Sequence, residues 1–325
     1  MRKLVIDVNG ADSGLQPVLS GTAKALEQGV DFFPVLVGKA DTVGHMMDDL
    51  GVCRDRYELL DAADAITNDD PPTCVFAGRE ESSLVKAYLR LKADDECCAM
   101  VSAGNTGALL VGSICRLGLL PGLKFPVLAS ALPCGVHNMV CLVDCGANIE
   151  CSANDLVRFA KMGEVFCRCF CGIESPRVGL MSVGREEGKG TALTREVYGK
   201  LKELPMNFVG NLEGSDLVSG YADVIVSDGF SGNILLKSTE AAGKLAMDII
   251  AEAGADADPE LIERLRLAIF KKLEFNSQGA ATFLGPRKVV VKMHGCANED
   301  TTVSAIRQAL SLADSDFIAA MSKAL

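Results

Sequence analysis

Four short stretches rich in glycine and asparagine hold the residue types best suited to chemistry on an anion. They are Asn9-Gly10-Ala11-Asp12, Gly104-Asn105-Thr106-Gly107, Asp144-Cys145-Gly146-Ala147-Asn148 and Asp228-Gly229-Phe230-Ser231-Gly232-Asn233. Glycine lets a backbone approach a ligand closely, and exposed N–H groups at a helix start form a seat for phosphate or another oxyanion. Each stretch follows an apolar run of strand type, and two of them lead into helix-forming residues, Ala108 to Val111 and Ile234 to Lys237. In an open parallel sheet such loops gather beyond the carboxyl ends of the strands, where ligands bind. Taken singly, each glycine also suits a plain strand-to-helix turn. The recurrence of the pattern is what favours one shared oxyanion site.

Named nucleotide and hydrolase motifs fail when checked. Gly188-Lys189 resembles part of a P-loop, but Gly184 stands one residue too close and Gly190 occupies the Ser/Thr position. No Gly-x-Gly-x-x-Gly follows a strand, and no Gly-x-Ser-x-Gly elbow occurs. His45, His137 and His294 are the three histidines, and His294 is the most suggestive because it follows the apolar run Val289 to Lys292. A Cys296–His294 nucleophile pair is weakly supported, and Cys145 is the better-placed thiol. Cys167, Cys169 and Cys171 do not form a metal motif, since helical spacing places Cys169 apart from the other two. No cofactor and no metal site is expected.

Composition narrows the class further. The 325 residues are 49% hydrophobic, and 32 Lys plus Arg against 43 Asp plus Glu give a formal charge of −11. A general nucleic-acid binder needs a basic surface, so that class is excluded and any bound anion must be held by a local site. The 13 cysteines are an odd number, and the apolar run Leu4 to Val8 is too short for a secretory signal. A reducing, cytoplasmic setting is expected, with thiols acting as small core residues. No apolar stretch reaches the roughly 20 residues of a bilayer span, so membrane contact would be peripheral.

The elements that must position these loops are legible as apolar runs alternating with segments of helical period, the pattern of a parallel sheet covered on both faces. Strands are expected at Leu4–Val8, Phe33–Val37, Ala99–Ser102, Val127–Ala131, Val140–Asp144, Val178–Ser182, Phe208–Gly210, Val224–Ser227 and Val289–Lys292. Ser152 and Asp155 read as a capping box for a helix carrying Leu156, Phe159, Ala160, Gly163, Phe166 and Phe170 on one face. Asp258 and Pro259 begin another, with Leu261, Leu265, Ile269 and Leu273 at four-residue spacing. Asp61 to Pro72 reads as a surface loop. The whole is expected to form one compact α/β domain over residues 1–325, with the option of two lobes around a cleft. A helical segment at about 235–275 is available for dimerisation or membrane contact.

At these loops the sequence resembles a known family, the phosphate acyltransferases of phospholipid synthesis (PlsX). The resemblance is carried by Ser102-Ala103-Gly104-Asn105-Thr106-Gly107-Ala108-Leu109-Leu110, Leu142-Val143-Asp144-Cys145-Gly146-Ala147-Asn148, Gly210-Asn211-Leu212-Glu213-Gly214 and Ser227 to Asn233, and it extends to Val289-Val290-Val291-Lys292-Met293-His294-Gly295. It implies a Rossmann-like three-layer α/β/α fold with a mostly parallel sheet, similar to the phosphotransacetylases and isopropylmalate dehydrogenases, in a homodimer. It also implies transfer of a fatty acyl group from an acyl carrier protein thioester to inorganic phosphate. The expected catalytic residues are Asn105, Asn148, Asn233 and His294. The expected phosphate and substrate residues are Asn9, Gly10, Asp12, Gly104, Thr106, Gly107, Asp144, Gly146, Lys189, Asn211, Glu213, Gly214, Asp228, Gly229, Gly232 and Lys237. Departures from the family's usual pattern are Asn9 and Ala11 in the first loop, Cys145, Thr191 after Lys189-Gly190, and Gln278-Gly279-Ala280-Ala281. A short acyl thioester, as for the PlsX-like subunits of amino-acid reductase complexes, and a non-catalytic regulatory paralogue are the alternative readings.

Overall fold

Apolar runs without alternation become strands buried on both faces, as a parallel sheet requires. The computed structural model describes residues 2–134, 138–254, 258–273 and 280–325. The chain divides into two compact units, Met1–Leu128 with Gly279–Leu325 and Ala129–Gln278.

In the first unit, β1 (Lys3–Asp7), β2 (Phe33–Gly38), β3 (Glu58–Asp61), β4 (Cys97–Ser102), β10 (Ala281–Leu284) and β11 (Val289–Lys292) stand in the order β3-β2-β1-β4-β11-β10. All pair in parallel except β10, which runs antiparallel to β11. The helices are α1 (Gln16–Glu27), α2 (Ala40–Asp49), α3 (Ser83–Ala93) and α4 (Thr106–Gly112). Two more close the chain beyond β11, at Glu299–Asp314 and Phe317–Ala324. Leu4, Val5, Ile6, Met100, Val101, Val290 and Val291 are almost completely excluded from solvent in the central strands.

The second unit orders β5 (Val127–Cys134), β6 (Asn138–Val143), β9 (Val224–Val226), β7 (Val178–Met181) and β8 (Phe208–Leu212) as β5-β6-β9-β7-β8, with only the β5–β6 pair antiparallel. Its helices are α5 (Ala153–Phe166), α6 (Ala192–Lys202), α7 (Gly229–Ala253) and α8 (Pro259–Leu273). The capping box forms as expected: Asp155 N–H donates to Ser152 Oγ at 3.3 Å and Ser152 N–H to Asp155 Oδ2 at 3.0 Å. Leu156, Phe159, Ala160, Gly163 and Phe166 are buried on the core face of α5, and Phe170 stacks on Phe166 with ring centroids 5.4 Å apart.

The nine expected strands are all present, with no end shifted by more than three residues. Two were not anticipated. β3 is a four-residue edge strand, Glu-Leu-Leu-Asp, with three half-buried residues and an exposed Asp61, too short and too polar at its ends to register as an apolar run. β10 has four residues, Ala-Thr-Phe-Leu, too few to register as an apolar run. Gln278 and Gly279, like His137, lie outside the described residues. Among the described residues no helix is long and apolar enough to cross a membrane.

Candidate functional site

In the first unit, the loops after β1, β3, β4 and β11 interlock at the carboxyl edge. Gly10 adopts φ +101°, and a Cβ there would lie 2.7 Å from the Gly104 Cα, so the first two glycine turns touch backbone to backbone. Asp12 joins the β11 loop by donating its N–H to Gly295 O at 2.9 Å, and its Oδ1 accepts from Asn68 Nδ2 at 2.8 Å. The 61–72 segment is held by Arg79, which donates to Asp64, Asp70 and Ala65 O. The guanidinium lowers the Asp64 carboxyl's pKa, and at Asp70 it adds to the Thr67 N–H and hydroxyl in the same direction.

Asn105 caps α4. Its Oδ1 accepts the Ala108 N–H at 3.0 Å, and its Nδ2 donates to Thr67 O at 3.3 Å. The N–H groups of Thr106 and Gly107, in the first turn, have no partner among the described residues and are the open donors at this helix start. Gly104 N–H is occupied by Ser102 Oγ at 3.0 Å. His294 is half-buried and its Nδ1 accepts from the Cys296 N–H at 3.2 Å, which places the proton of the neutral ring on Nε2. Cys296 thus meets His294 through its backbone.

In the second unit, Asp144 is fully buried after β6 and follows a cis peptide bond from Val143. Its Oδ1 accepts from Gly146 N at 3.0 Å and Ala147 N at 2.9 Å, and its Oδ2 from Asn148 N and Nδ2, both at 2.7 Å. Burial raises this carboxyl's pKa, and the same N–H donors act in the opposite direction. The N–H groups of this turn are therefore filled by the protein's own carboxylate. Asp144 and Asn148 set the turn's shape.

The Asp144 turn is packed tightly on the start of α7. A Cβ on Gly232 would come within 1.9 Å of Asp144 O, and one on Gly229 within 2.6 Å of Asn148 O, so only glycine fits at either position. Gly229 N–H donates to Asn148 O at 2.7 Å, and Asp228 caps the helix by accepting from Ser231 N at 2.7 Å. The exposed Asn233 amide lies over Gly146, its Oδ1 3.5 Å from where a Cβ would stand, and it has no hydrogen-bond partner among the described residues. Lys237, one turn on, meets Glu240 at 2.7 Å.

Lys189 is exposed on the β7–α6 loop, and its ammonium has no ion-pair partner among the described residues. Asn211 is buried and donates to Glu186 O at 2.9 Å, bracing that loop. Glu213 and Gly214 open a 3-10 turn in which Asp216 accepts from the Glu213 N–H at 2.9 Å. Arg185 pairs bidentately with the buried Asp216, whose pKa falls below the ordinary range because this pairing and the N–H bond outweigh burial. Arg79, Arg185 and Asp216 were not singled out from the sequence, because an ion pair far apart in the chain leaves no local pattern. Asp7 was detectable in principle, as an acidic residue within a buried strand.

A mostly parallel α/β architecture with glycine turns at the strand ends defines a fold shared with solved phosphotransacetylases. A phosphotransacetylase from Streptococcus pyogenes superposes with a TM-score of 0.64 at 14% identity, over 96% of this chain and 94% of that one. A branched-chain phosphotransacylase from Enterococcus faecalis V583 gives 0.63 at 14% identity, over 97% and 100%. The chain belongs to the fatty acid synthesis protein family, whose sequence model matches residues 2–320. A relative named phosphate acyltransferase, from Clostridioides difficile (strain 630), is 34% identical over 314 residues, covering 95% of this chain and 92% of its own.

Proposed function

We propose that the protein transfers the acyl group of an acyl thioester to inorganic phosphate. A phosphate oxygen attacks the thioester carbonyl, the C–O bond forms, and the C–S bond breaks to release the thiol and an acyl phosphate. The observation that supports this most is family membership over nearly the whole chain alongside relatives that carry the name phosphate acyltransferase.

The chemistry suits residues that place and polarise. Phosphate is already largely anionic near neutral pH, and a thiol with a pKa near ~8.5 leaves as thiolate, so neither a strong base nor a strong acid is required. Orientation and charge stabilisation carry the rate. In the second unit, Lys189 supplies an unpaired ammonium for phosphate and Asn233 an unpaired amide for the carbonyl oxygen as it becomes an oxyanion. In the first unit, the Thr106 and Gly107 N–H groups suit an anionic oxygen, and the His294 Nε2–H suits a proton acceptor. Asn105, Asp144, Asn148, Asp228, Gly229 and Gly232 act on this reading by fixing turn geometry.

We assign acyl carrier protein as the donor's carrier and a second copy of the chain as the partner of α7 and α8. Only Gly229, Gly232 and Gly243 are buried on the 25-residue α7, while Leu245, Ile249, Leu261 and Leu265 present an apolar surface. A lipid surface is the competing occupant of that face. Hydroxylamine trapping of acyl phosphate, with thioesters of several chain lengths and free phosphate, tests the reaction. Long-chain hydroxamate is expected. Short-chain product alone would transfer the chain to the alternative substrate class, and no product with any thioester would leave a non-catalytic protein. Sedimentation of a dimer, without vesicle co-sedimentation, is expected for the helical face.

A further inference from the structure

Asp7 is the last residue of β1 and is almost completely excluded from solvent, at 2% exposure. An acidic side chain there is unfavourable unless something in the fold depends on it. Its Oδ2 accepts from Ser102 Oγ at 2.7 Å, and the same Ser102 oxygen accepts the Gly104 N–H at 3.0 Å. The three groups form a chain from a buried carboxylate through a hydroxyl to the backbone of the turn that starts α4.

A serine hydroxyl has one proton and two lone pairs. A carboxylate acceptor takes that proton, leaving the lone pairs of Ser102 turned toward Gly104 N–H and strengthening the bond through charge. Gly104 in turn abuts Gly10, so the Asp7 relay sets the distance between the two glycine turns. We propose that Asp7 is a positioning residue: through Ser102 it holds the Gly104 turn so that the Thr106 and Gly107 N–H groups face an anionic oxygen. This rests on the acyltransferase reading given above.

Burial raises the Asp7 pKa from 3.8 to about 6, against the opposing pull of the Ser83 and Ser102 hydroxyls and the Asn9 N–H. The other titratable groups near it are few. From α3, Tyr88 donates its hydroxyl to Leu109 O, and burial moves its pKa above its ordinary range. From β11, Lys292 stands in register with Ser102 and donates to Met293 O. In β2 the residue in register is Val37, which carries no charge. Protonation of Asp7 replaces a charged acceptor with a neutral acid and loosens the relay.

The test is the turnover ratio of Asp7→Asn to wild type between about pH 5 and pH 8, because asparagine imitates the neutral acid. Taking a ratio cancels the titration of phosphate. Asp7→Asn is expected to be at least about tenfold slower at pH 8, with the gap narrowing about fivefold or more as the pH falls to 5. A second measurement needs no turnover: the Gly104 amide resonance should titrate with a midpoint near 6 in wild type and stay flat in Asp7→Asn. A ratio constant across pH, or a Gly104 amide that does not titrate in wild type, would overturn the proposal. If wild type made no acyl phosphate, the acyltransferase reading would fall while the amide titration still decided the relay. Should Asp7→Asn fail to fold, Ser102→Ala removes the middle of the relay and should abolish the same Gly104 titration.

Discussion

Gly232→Ala gives the sharpest mechanical test of how the second unit is built. A Cβ at this position would lie 1.9 Å from the carbonyl oxygen of Asp144, more than an ångström inside ordinary contact, and 2.6 Å from Ser227 Oγ. The obstacle is backbone of a turn whose carboxylate is tied by four N–H donors, so it cannot yield as a flexible side chain would. The first turn of α7 must move away instead. That strains or breaks the Gly229 N–H bond to Asn148 O and the Ser227 hydroxyl bond to Asp144 O at 3.1 Å. Overpacking typically costs about 1–3 kcal/mol, and each hydrogen bond lost adds about 1 kcal/mol, giving an expected destabilisation of about 3–5 kcal/mol. That is a large part of a typical domain stability of about 5–15 kcal/mol. Urea unfolding followed by circular dichroism should show a fall in midpoint at unchanged slope. Turnover at a denaturant-free temperature well below the transition should also fall, since Asn233 moves with the helix. A loss below about 1 kcal/mol would refute the tight packing of α7 on the Asp144 turn.

Gly199→Ala is the converse case: it is exposed within α6 with nothing within 4 Å of its Cβ position, so the same substitution should stabilise by about 0.5–1 kcal/mol in the same urea assay. Asp7 should give a pH-dependent stability difference. Its folded pKa is raised from 3.8 to about 6, so the folded state binds the proton more tightly and wild type loses stability as pH rises through that window. Relative to wild type, Asp7→Asn should gain about 3 kcal/mol between pH 3.5 and pH 7, measured by thermal or urea unfolding, even as it loses activity. Lys189→Ala should raise the KM for phosphate about tenfold or more with little change in stability, because the side chain is exposed and unpaired; initial rates against phosphate concentration check this.

Much of the architecture was readable because buried parallel strands are written as unbroken apolar runs, such as Val140 to Val143 and Val289 to Val291, and because caps such as Ser152 and Asp155 are local. The edge strand Glu58–Asp61 escaped because half-burial leaves no run to detect. The glycine turns were also readable, since glycine is needed where two turns approach as closely as Gly10 and Gly104. What a sequence does not encode locally is which N–H groups remain open. Asp144 fills those of its own turn, and Asn105 fills one in α4 while leaving Thr106 and Gly107 open. Both outcomes follow from side-chain geometry several residues away, and both change which loop can take an anion. The Arg185–Asp216 pair is invisible for the same reason, its partners lying 31 residues apart.

The most direct test of the central claim is phosphorus NMR of inorganic phosphate mixed with a long-chain acyl carrier protein thioester and the enzyme. The expected result is an acyl phosphate resonance growing in step with thiol release in wild type, and strongly slowed growth with Asn233→Ala. Thiol release without any loss of inorganic phosphate would mean that water is the acceptor, and would contradict acyl transfer to phosphate.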